Sequence, residues 1–471
     1  MGIIILTPNE HHNSNRNPLQ SPNISYLSSR MIYRLLKILI GLGIKLYYKE
    51  IHIKNFKGLQ HDGPRILIAN HPNTLMDGWI LGQVCKKPIH FMTKGTFFSS
   101  PIKSLFLRSL GMIPINRATE SKTSGVDNNS SFEACYQLLE SGKTLVIFPE
   151  GNSHAERILR ELKTGTARIA LETENRNNGK LNLKVIPIGL VYTNAAKFRS
   201  SIIANVGEPI DILQYLQEYT KEPRSASKKL TDDFRVEMES LLVGSNAVEY
   251  EELVDGIIKL LNSKYTKSEE KGVKKDVVLT KEVYQRINTI LVSNPHRITE
   301  IKHLYSDIKM QLHQSNIKPE FLDRNYRPLV FFRQLFFSTL YILVGFPFFL
   351  FGLLHNILPF QIADNLIPKI VKEIEYYAPV AVLMGLVIYP LNYVGFLYLT
   401  DYFFSMTFWI KVVYFVSMPV SGLFAYYFYH YIKHVSLKAH FMFLMKNDKE
   451  KVKTIRKDKV RLKEMIFDVK D

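Results

Sequence analysis

Residues 66–79 read Ile66-Leu67-Ile68-Ala69-Asn70-His71-Pro72-Asn73-Thr74-Leu75-Met76-Asp77-Gly78-Trp79, an apolar run, a polar turn carrying a histidine, and a carboxylate where a helix would begin. Arg65 to Ala69 is rich in leucine and branched residues and predicts a buried strand that ends at Asn70, a residue favoured in turns. His71 then stands at the carboxyl end of a strand, where open α/β sheets gather their ligands. Thr74 can cap the next helix, which places Asp77 in its first turn. An imidazole of ordinary pKa, about 6.5, can take a proton from a hydroxyl near neutral pH. A carboxylate on its other nitrogen fixes the tautomer and stabilises the imidazolium. The plainer reading of the same residues is a satisfied turn histidine and a carboxylate that merely charges a helix N-terminus.

Outward from this stretch the pattern alternates. Glu50 to Phe56 reads as a strand before it, and Ile89 to Met92 as a strand after it, followed by Lys94. Gly111 to Arg117 is a short extended segment that ends on a guanidinium. Such a group can grip a phosphate bidentately, with Lys94 adding charge, or it can be a solvated surface arginine. Ser131 to Ser141 reads as a helix ending at Gly142. Thr144 to Phe148 reads as a buried parallel strand running into Pro149-Glu150-Gly151-Asn152-Ser153-His154. There Glu150 can bond substrate hydroxyls while Gly151 leaves the backbone approachable, or the stretch is simply a tight turn. Gly142-Lys143-Thr144 is not a phosphate-binding loop, because Gln137 stands where the first glycine is required. Leu162 to Ala170 reads as a helix and Lys184 to Leu190, with Pro187, as another buried strand. Strands alternating with helices predict an α/β sandwich with its loops gathered at one edge.

The 471 residues carry a formal charge of +18, with 46% hydrophobic and 12% aromatic residues. Mean hydropathy is near zero, so polar and apolar material must be segregated along the chain. The charge calls for an anionic partner: nucleic acid, an anionic membrane surface or a phosphorylated substrate. No zinc spacing or arginine-rich arm accompanies it, which argues against nucleic acid and for membrane lipids. Cys85 and Cys135 lack partner spacing, so neither a disulfide nor a metal cluster is expected.

Residues 1–30, rich in Asn, Ser and Pro, read as a disordered leader. Residues 31–48 read as an interfacial membrane helix that snorkels Arg34, Lys37 and Lys45, or equally as an ordinary packing helix. The α/β unit is expected over 49–220 and a charged helical insertion over 221–328, with Lys264 to Asp276 as a linker. A transmembrane region is expected over 329–432. Within it Phe331 to Leu354, Ala378 to Leu399 and Val412 to Tyr431 each approach the roughly 20 residues a crossing needs. The tail, 433–471, is strongly basic and expected on the cytoplasmic face, together with the catalytic unit. Ends on one face require an even number of crossings, and the segment divided by Pro347 is expected to be re-entrant.

Four blocks in this order, Asn70-His71 through Asp77, Gly111 through Arg117, Phe148-Pro149-Glu150-Gly151 and Val185-Ile186-Pro187, resemble the glycerolipid acyltransferases of the bacterial lysophosphatidate acyltransferase type. The resemblance implies that His71 is the base and Asp77 its orienting partner. It implies that Arg117, with Lys94 assisting, and Glu150 with Gly151 bind a phosphorylated glycerol acceptor, and that Asn70 and Pro187 belong to the same pocket. Two departures stand out: one residue too many between His71 and Asp77, and Asn152-Ser153-His154 where Thr-Arg-Ser is more common. Both look like the fungal-type glycerol-3-phosphate/dihydroxyacetone-phosphate acyltransferases, which also continue with Leu-x-x-Leu-Lys-x-Gly, here Leu159 to Gly165. His154 is therefore a second-rank site residue. The implied protein is a membrane-bound O-acyltransferase. It would use acyl-CoA or acyl carrier protein as thioester co-substrate, need no metal or other cofactor, and acylate glycerol 3-phosphate or dihydroxyacetone phosphate. The alternatives are a lysophosphatidate acyltransferase and a catalytically silent lipid-binding membrane protein.

Overall fold

The computed structural model describes residues 26–59, 63–115, 128–156, 158–242, 250–262, 273–323 and 327–468. Seven strands form one sheet: β1 (Glu50–Lys54), β2 (Arg65–Ala69), β3 (Ile89–Lys94), β4 (Met112–Ile115), β5 (Thr144–Ile147), β6 (Lys184–Tyr192) and β7 (Ser201–Val206). Their spatial order is β1-β7-β6-β2-β5-β3-β4. β2 lies between β5 and β6, parallel to both, with Ile66 in register with Leu145 and Val185. β7 is a strand the sequence reading did not place, and its pairing with β6 is the antiparallel one.

All five residues of β2 are buried, as a strand covered on both faces requires. Its side chains alternate between two cores. Leu67 and Ala69 join Ile44, Tyr48, Met76, Ile80 and Ile186 under α1 (Tyr26–Tyr47) and α2 (Leu75–Val84). Ile66 and Ile68 join Leu139, Ile169, Leu171 and Leu230 under α4 (Asn128–Glu140), α5 (Gly165–Arg176) and α7 (Pro223–Leu241). The α/β sandwich is therefore as expected, but its edge is not. Ala226, Leu230, Phe234 and Met238 repeat every fourth residue and bury α7 in the sandwich, beyond the boundary expected at 220. α1 begins at Tyr26, inside the expected leader, of which residues 1–25 lie outside the described residues. One side of α1 packs, with Gly43 against Val382 and the Lys37 ammonium on the Cys85 carbonyl at 2.8 Å. Its other side exposes Leu35, Ile38, Leu39, Leu42 and Leu46 as one stripe.

A second, all-helical layer comprises α8 (Glu251–Leu261), α9 (Val273–Ser293), α10 (Pro295–Gln314) and α14 (Lys449–Phe467). They share a core with Val191 and Ile203 of the sheet. Of the expected linker, 264–276, residues 264–272 lie outside the described residues, and 273–276 are not a linker but the first turn of α9. The basic tail is not loose: Lys459 pairs with Asp323 at 2.9 Å and the Arg297 guanidinium binds the Met465 carbonyl at 3.0 Å.

Among the described residues three helices are long and apolar enough to cross a membrane: α11 (Pro328–Ile370), α12 (Tyr377–Phe404), extended at its start by a 3₁₀ turn, and α13 (Phe408–Asn447). The chain does not turn at Pro347. α11 runs unbroken through it, antiparallel to α13, with Gly345 on Phe428, Gly352 on Ser421 and the Asn356 amide on the Met418 carbonyl. Proline is tolerated in such helices because neighbouring groups satisfy the backbone that it frees. The chain at both ends of α11 nonetheless returns to the body that precedes it. Phe331 packs on the all-helical layer, and the Glu375 carbonyl, beyond its other end, accepts a hydrogen bond from Thr74.

Candidate active site

The β2 strand ends at Ala69 and delivers His71 to the carboxyl edge of the sheet. The His71 ring lies flat on Phe148, from the turn after β5, with centroids 3.9 Å apart and planes within 9°. Its Nδ1 is 2.9 Å from Asp77 Oδ2. Asp77 is fully buried in the first turn of α2, where the helix dipole favours a carboxylate. Asp77 Oδ2 also accepts the Asn73 amide at 2.7 Å, and its Oδ1 accepts the Tyr192 hydroxyl at 2.5 Å. These bonds fix the carboxylate plane and require Nδ1 to carry the proton. Nε2 is thereby the basic nitrogen, and among the described residues it has no hydrogen bond, while the side chain keeps 18% of its surface exposed.

The extra residue between His71 and Asp77 is absorbed at Thr74, whose φ of 44° lies in a region that β-branched residues seldom enter. Thr74 does not cap α2 with its side chain, contrary to expectation. With the backbone turned this way, its hydroxyl donates to the Glu375 carbonyl at 3.0 Å, and its amide donates to Ser153 Oγ at 3.1 Å. Asn73 is fully buried and ties the turn to Tyr48 and to the Ala195 carbonyl, at 2.8 and 3.1 Å. Local strain of order 1–3 kcal/mol persists only where surroundings over-determine the conformation, and here they do.

The other expected residues divide into groups that brace the base and groups that surround it. Glu150 is buried, with Oε1 accepting the His71 amide at 2.9 Å and Oε2 the Arg160 amide at 3.1 Å. Burial pushes its carboxyl above the ordinary value, and the amides of Arg160 and His71 pull it back. Gly151 adopts φ +77°, which closes the turn through its amide to the Phe148 carbonyl at 3.0 Å. The His154 amide donates to the His71 carbonyl at 2.9 Å, and partial burial, followed by the Arg160 charge, lowers its imidazole pKa. Asn70 bonds the Leu190 backbone through both ends of its amide, at 2.7 and 3.0 Å, and so clips β2 to β6. Pro187 is buried in β6 beside Ile68. Lys94 ends β3 opposite Ile115, the last residue of β4. Arg117 lies outside the described residues.

Sequence reasoning missed Tyr192, Tyr48 and the stacking of Phe148 on His71. Tyr192 lies just past the point where the β6 apolar run was expected to stop. Burial and the Asp77 charge push its phenol far above the ordinary range, so it stays a donor. Leu162 to Thr164 are not helical as expected, since α5 starts at Gly165 and the Lys163 amide instead reaches the Pro149 carbonyl at 2.9 Å. A cavity of about 170 Å³ opens beside the base between Asn70, Pro72, Glu156, Tyr192, Leu242 and Ile374. Among the described residues no three His, Cys, Asp or Glu side chains gather as a metal site.

An α/β domain that presents a carboxylate-backed imidazole, open at one nitrogen, beside membrane-length helices defines a membrane-associated protein equipped for general-base chemistry. Residues 50–191 match the family model described as Acyltransferase, and that segment is an acyltransferase-family domain. The chain is 30% identical over 144 residues to Glycerol-3-phosphate O-acyltransferase 1 of Saccharomyces cerevisiae, covering 30% of this chain and 19% of that one. It is 32% identical over 130 residues to Glycerol-3-phosphate O-acyltransferase 2 of the same yeast, covering 27% and 17%. A chloroplastic 1-acyl-sn-glycerol-3-phosphate acyltransferase of Arabidopsis thaliana is 27% identical over 158 residues, covering 33% and 40%. The chain thus spans less than a fifth of the length of the two yeast relatives that it matches.

Proposed function

We propose that this protein is a membrane-bound O-acyltransferase that moves a fatty acyl group from an acyl thioester to glycerol 3-phosphate, in phospholipid synthesis. The observation that carries the reading is the His71 to Asp77 contact of 2.9 Å, with Nε2 open at the sheet edge. Nε2 takes the proton of the acceptor hydroxyl as its oxygen attacks the thioester carbonyl. The new C–O bond forms, the C–S bond breaks, and the imidazolium returns its proton to the departing thiolate. Asp77, held by Tyr192 and Asn73, stabilises the imidazolium in between. In this reading Lys94, Arg117, Glu150, Gly151, His154, Asn70 and Pro187 form the acceptor side, with Glu150 and Asn70 acting by shaping the turn. The catalytic domain faces the cytoplasm, as the basic residues after α13 favour.

The names of the two yeast relatives support glycerol 3-phosphate, and dihydroxyacetone phosphate is kept as a chemically related acceptor. The name of the plant relative supports lysophosphatidate as a second reading. The test is acyl transfer by the purified full chain in detergent, with each acceptor offered separately, acyl-CoA and acyl carrier protein as alternative donors, and His71→Ala as control. Turnover of glycerol 3-phosphate that is lost in the control is expected. A folded His71→Ala protein with undiminished turnover overturns the mechanism, and no turnover with any acceptor overturns the reading.

A further inference from the structure

The segment Leu159 to Gly165 is laid across the Phe148 to Gly151 turn and clamped there. The Arg160 amide reaches Glu150 Oε2 at 3.1 Å and the Lys163 amide reaches the Pro149 carbonyl at 2.9 Å. The Arg235 guanidinium holds the Leu159 and Arg160 carbonyls, each at 3.2 Å. This fixes the Lys163 side chain over Gly151: a Cβ on Gly151 would meet Nζ at 2.7 Å and Cε at 3.0 Å. Gly151 is thus required twice, by its φ and by the lysine stem above it. Glu150, the adjacent carboxylate, already has both oxygens on backbone amides. Among the described residues the exposed Lys163 ammonium has no hydrogen bond or ion pair.

The strand order gives this cation its meaning. Along the carboxyl edge, β2, β5, β3 and β4 carry in turn His71, the Glu150-Gly151 turn with Lys163 above it, Lys94, and Ile115 leading to Arg117. Neighbouring strands lie about 4.8 Å apart. Lys163 therefore stands over the strand next to that of His71, whereas Lys94 is on the second strand away. A glycerol backbone separates its terminal hydroxyl from its phosphate by roughly one such spacing. We infer that the Lys163 ammonium, held over Gly151 on the turn next to the base, is a ligand for the phosphate monoester of the acceptor. It sets which hydroxyl reaches His71, and Lys94 lies on the outer side of the same anion. The inference rests on the acyltransferase reading above and names a residue that the sequence reading did not count among the site.

The experiment is glycerol 3-phosphate binding to the full chain in detergent, by calorimetry, with inorganic phosphate as competitor. Wild type is compared with Lys163→Met, which keeps the stem on Gly151 and removes the charge, and with Lys163→Arg. The methionine variant is expected to raise the dissociation constant about tenfold or more, as loss of one charged hydrogen bond does. Inorganic phosphate should weaken in parallel, acyl-CoA affinity should not move, and arginine should restore part of the loss. In turnover the same variant raises the acceptor KM and leaves the donor KM. Unaltered glycerol 3-phosphate binding by Lys163→Met, equal loss of acyl-CoA binding, or no glycerol 3-phosphate binding by wild type overturns the inference. Acyl transfer with an unmoved acceptor KM leaves the enzyme reading standing and this ligand wrong. Charge-dependent binding without any acyl transfer leaves the ligand standing and the enzyme reading wrong.

Discussion

His71 and His355 are both largely withdrawn from solvent, and their hydrogen-bond partners differ in kind. His355, in the middle of α11, is 3% exposed. Its Nδ1 faces the Phe351 carbonyl at 2.8 Å and its Nε2 the Tyr414 hydroxyl at 2.7 Å. Thr400 bonds the same tyrosine oxygen, while neighbouring Asn356 joins Tyr393 to the Met418 carbonyl. Every partner is neutral and both nitrogens are taken, so the ring is mortar between three apolar helices. His71 has one charged partner behind it and one nitrogen open. Burial is common to both, and the partner set separates them.

The largest test of this contrast is His71→Ala, which should lower kcat at least about a thousandfold with the fold intact by circular dichroism. His355→Ala should keep kcat within a few-fold. Equal losses in the two would erase the distinction. Next is Asp77→Asn, where an amide nitrogen must face the Asn73 amide, the Tyr192 hydroxyl or the protonated His71 nitrogen. It should cost about a hundredfold in kcat, and a double variant with His71→Ala should lose little more than His71→Ala alone. His90 extends the contrast to a third case. Burial first, then the Lys143 charge, lowers its pKa from 6.5 to about 4, against the opposing Thr144 carbonyl. A folded value below the unfolded one means this stability is present above pH 6.5 and is lost as pH falls through about 4. The loss should be about 3 kcal/mol, and pH-dependent unfolding of His90→Gln should be correspondingly flatter. Smallest is Tyr414→Phe, which leaves His355 Nε2 without its partner while Thr400 keeps the Phe396 carbonyl. It should destabilise by about 1 kcal/mol, read as a modest fall in Tm in detergent, with kcat unchanged.

The His71–Asp77 pair was legible because its signal is local: a buried strand, a polar turn and a helix start lie within residues 65–77. What holds it was not. Tyr192, Tyr48 and the Glu375 carbonyl come from distant strands and loops, and the route by which the extra residue is absorbed depends on Thr74 entering positive φ. β7 stayed unread because Ser201-Ile202-Ile203-Ala204-Asn205-Val206 lacks a flanking helix of the βαβ kind. The membrane segments were legible by composition but not by extent. α13 runs past its apolar stretch to plant Phe441, Met442 and Met445 in the all-helical core, a tertiary reason invisible to hydropathy. Likewise Pro347 reads as a break, yet the packing of Gly345 and Gly352 against α13 carries the helix through it.

The hydroxyl of Thr74 finds its acceptor 301 residues further along the chain. Ala378 and Val382 close the core around Ile44 and Tyr48 from the same late stretch. Chains emerge from the ribosome amino end first, so the sheet can assemble early while its decisive turn is left unfinished. That turn is completed only after α11 has been made and the start of α12 has come back to meet it, and the order of synthesis thereby sets the long apolar helix ahead of a finished His71 turn.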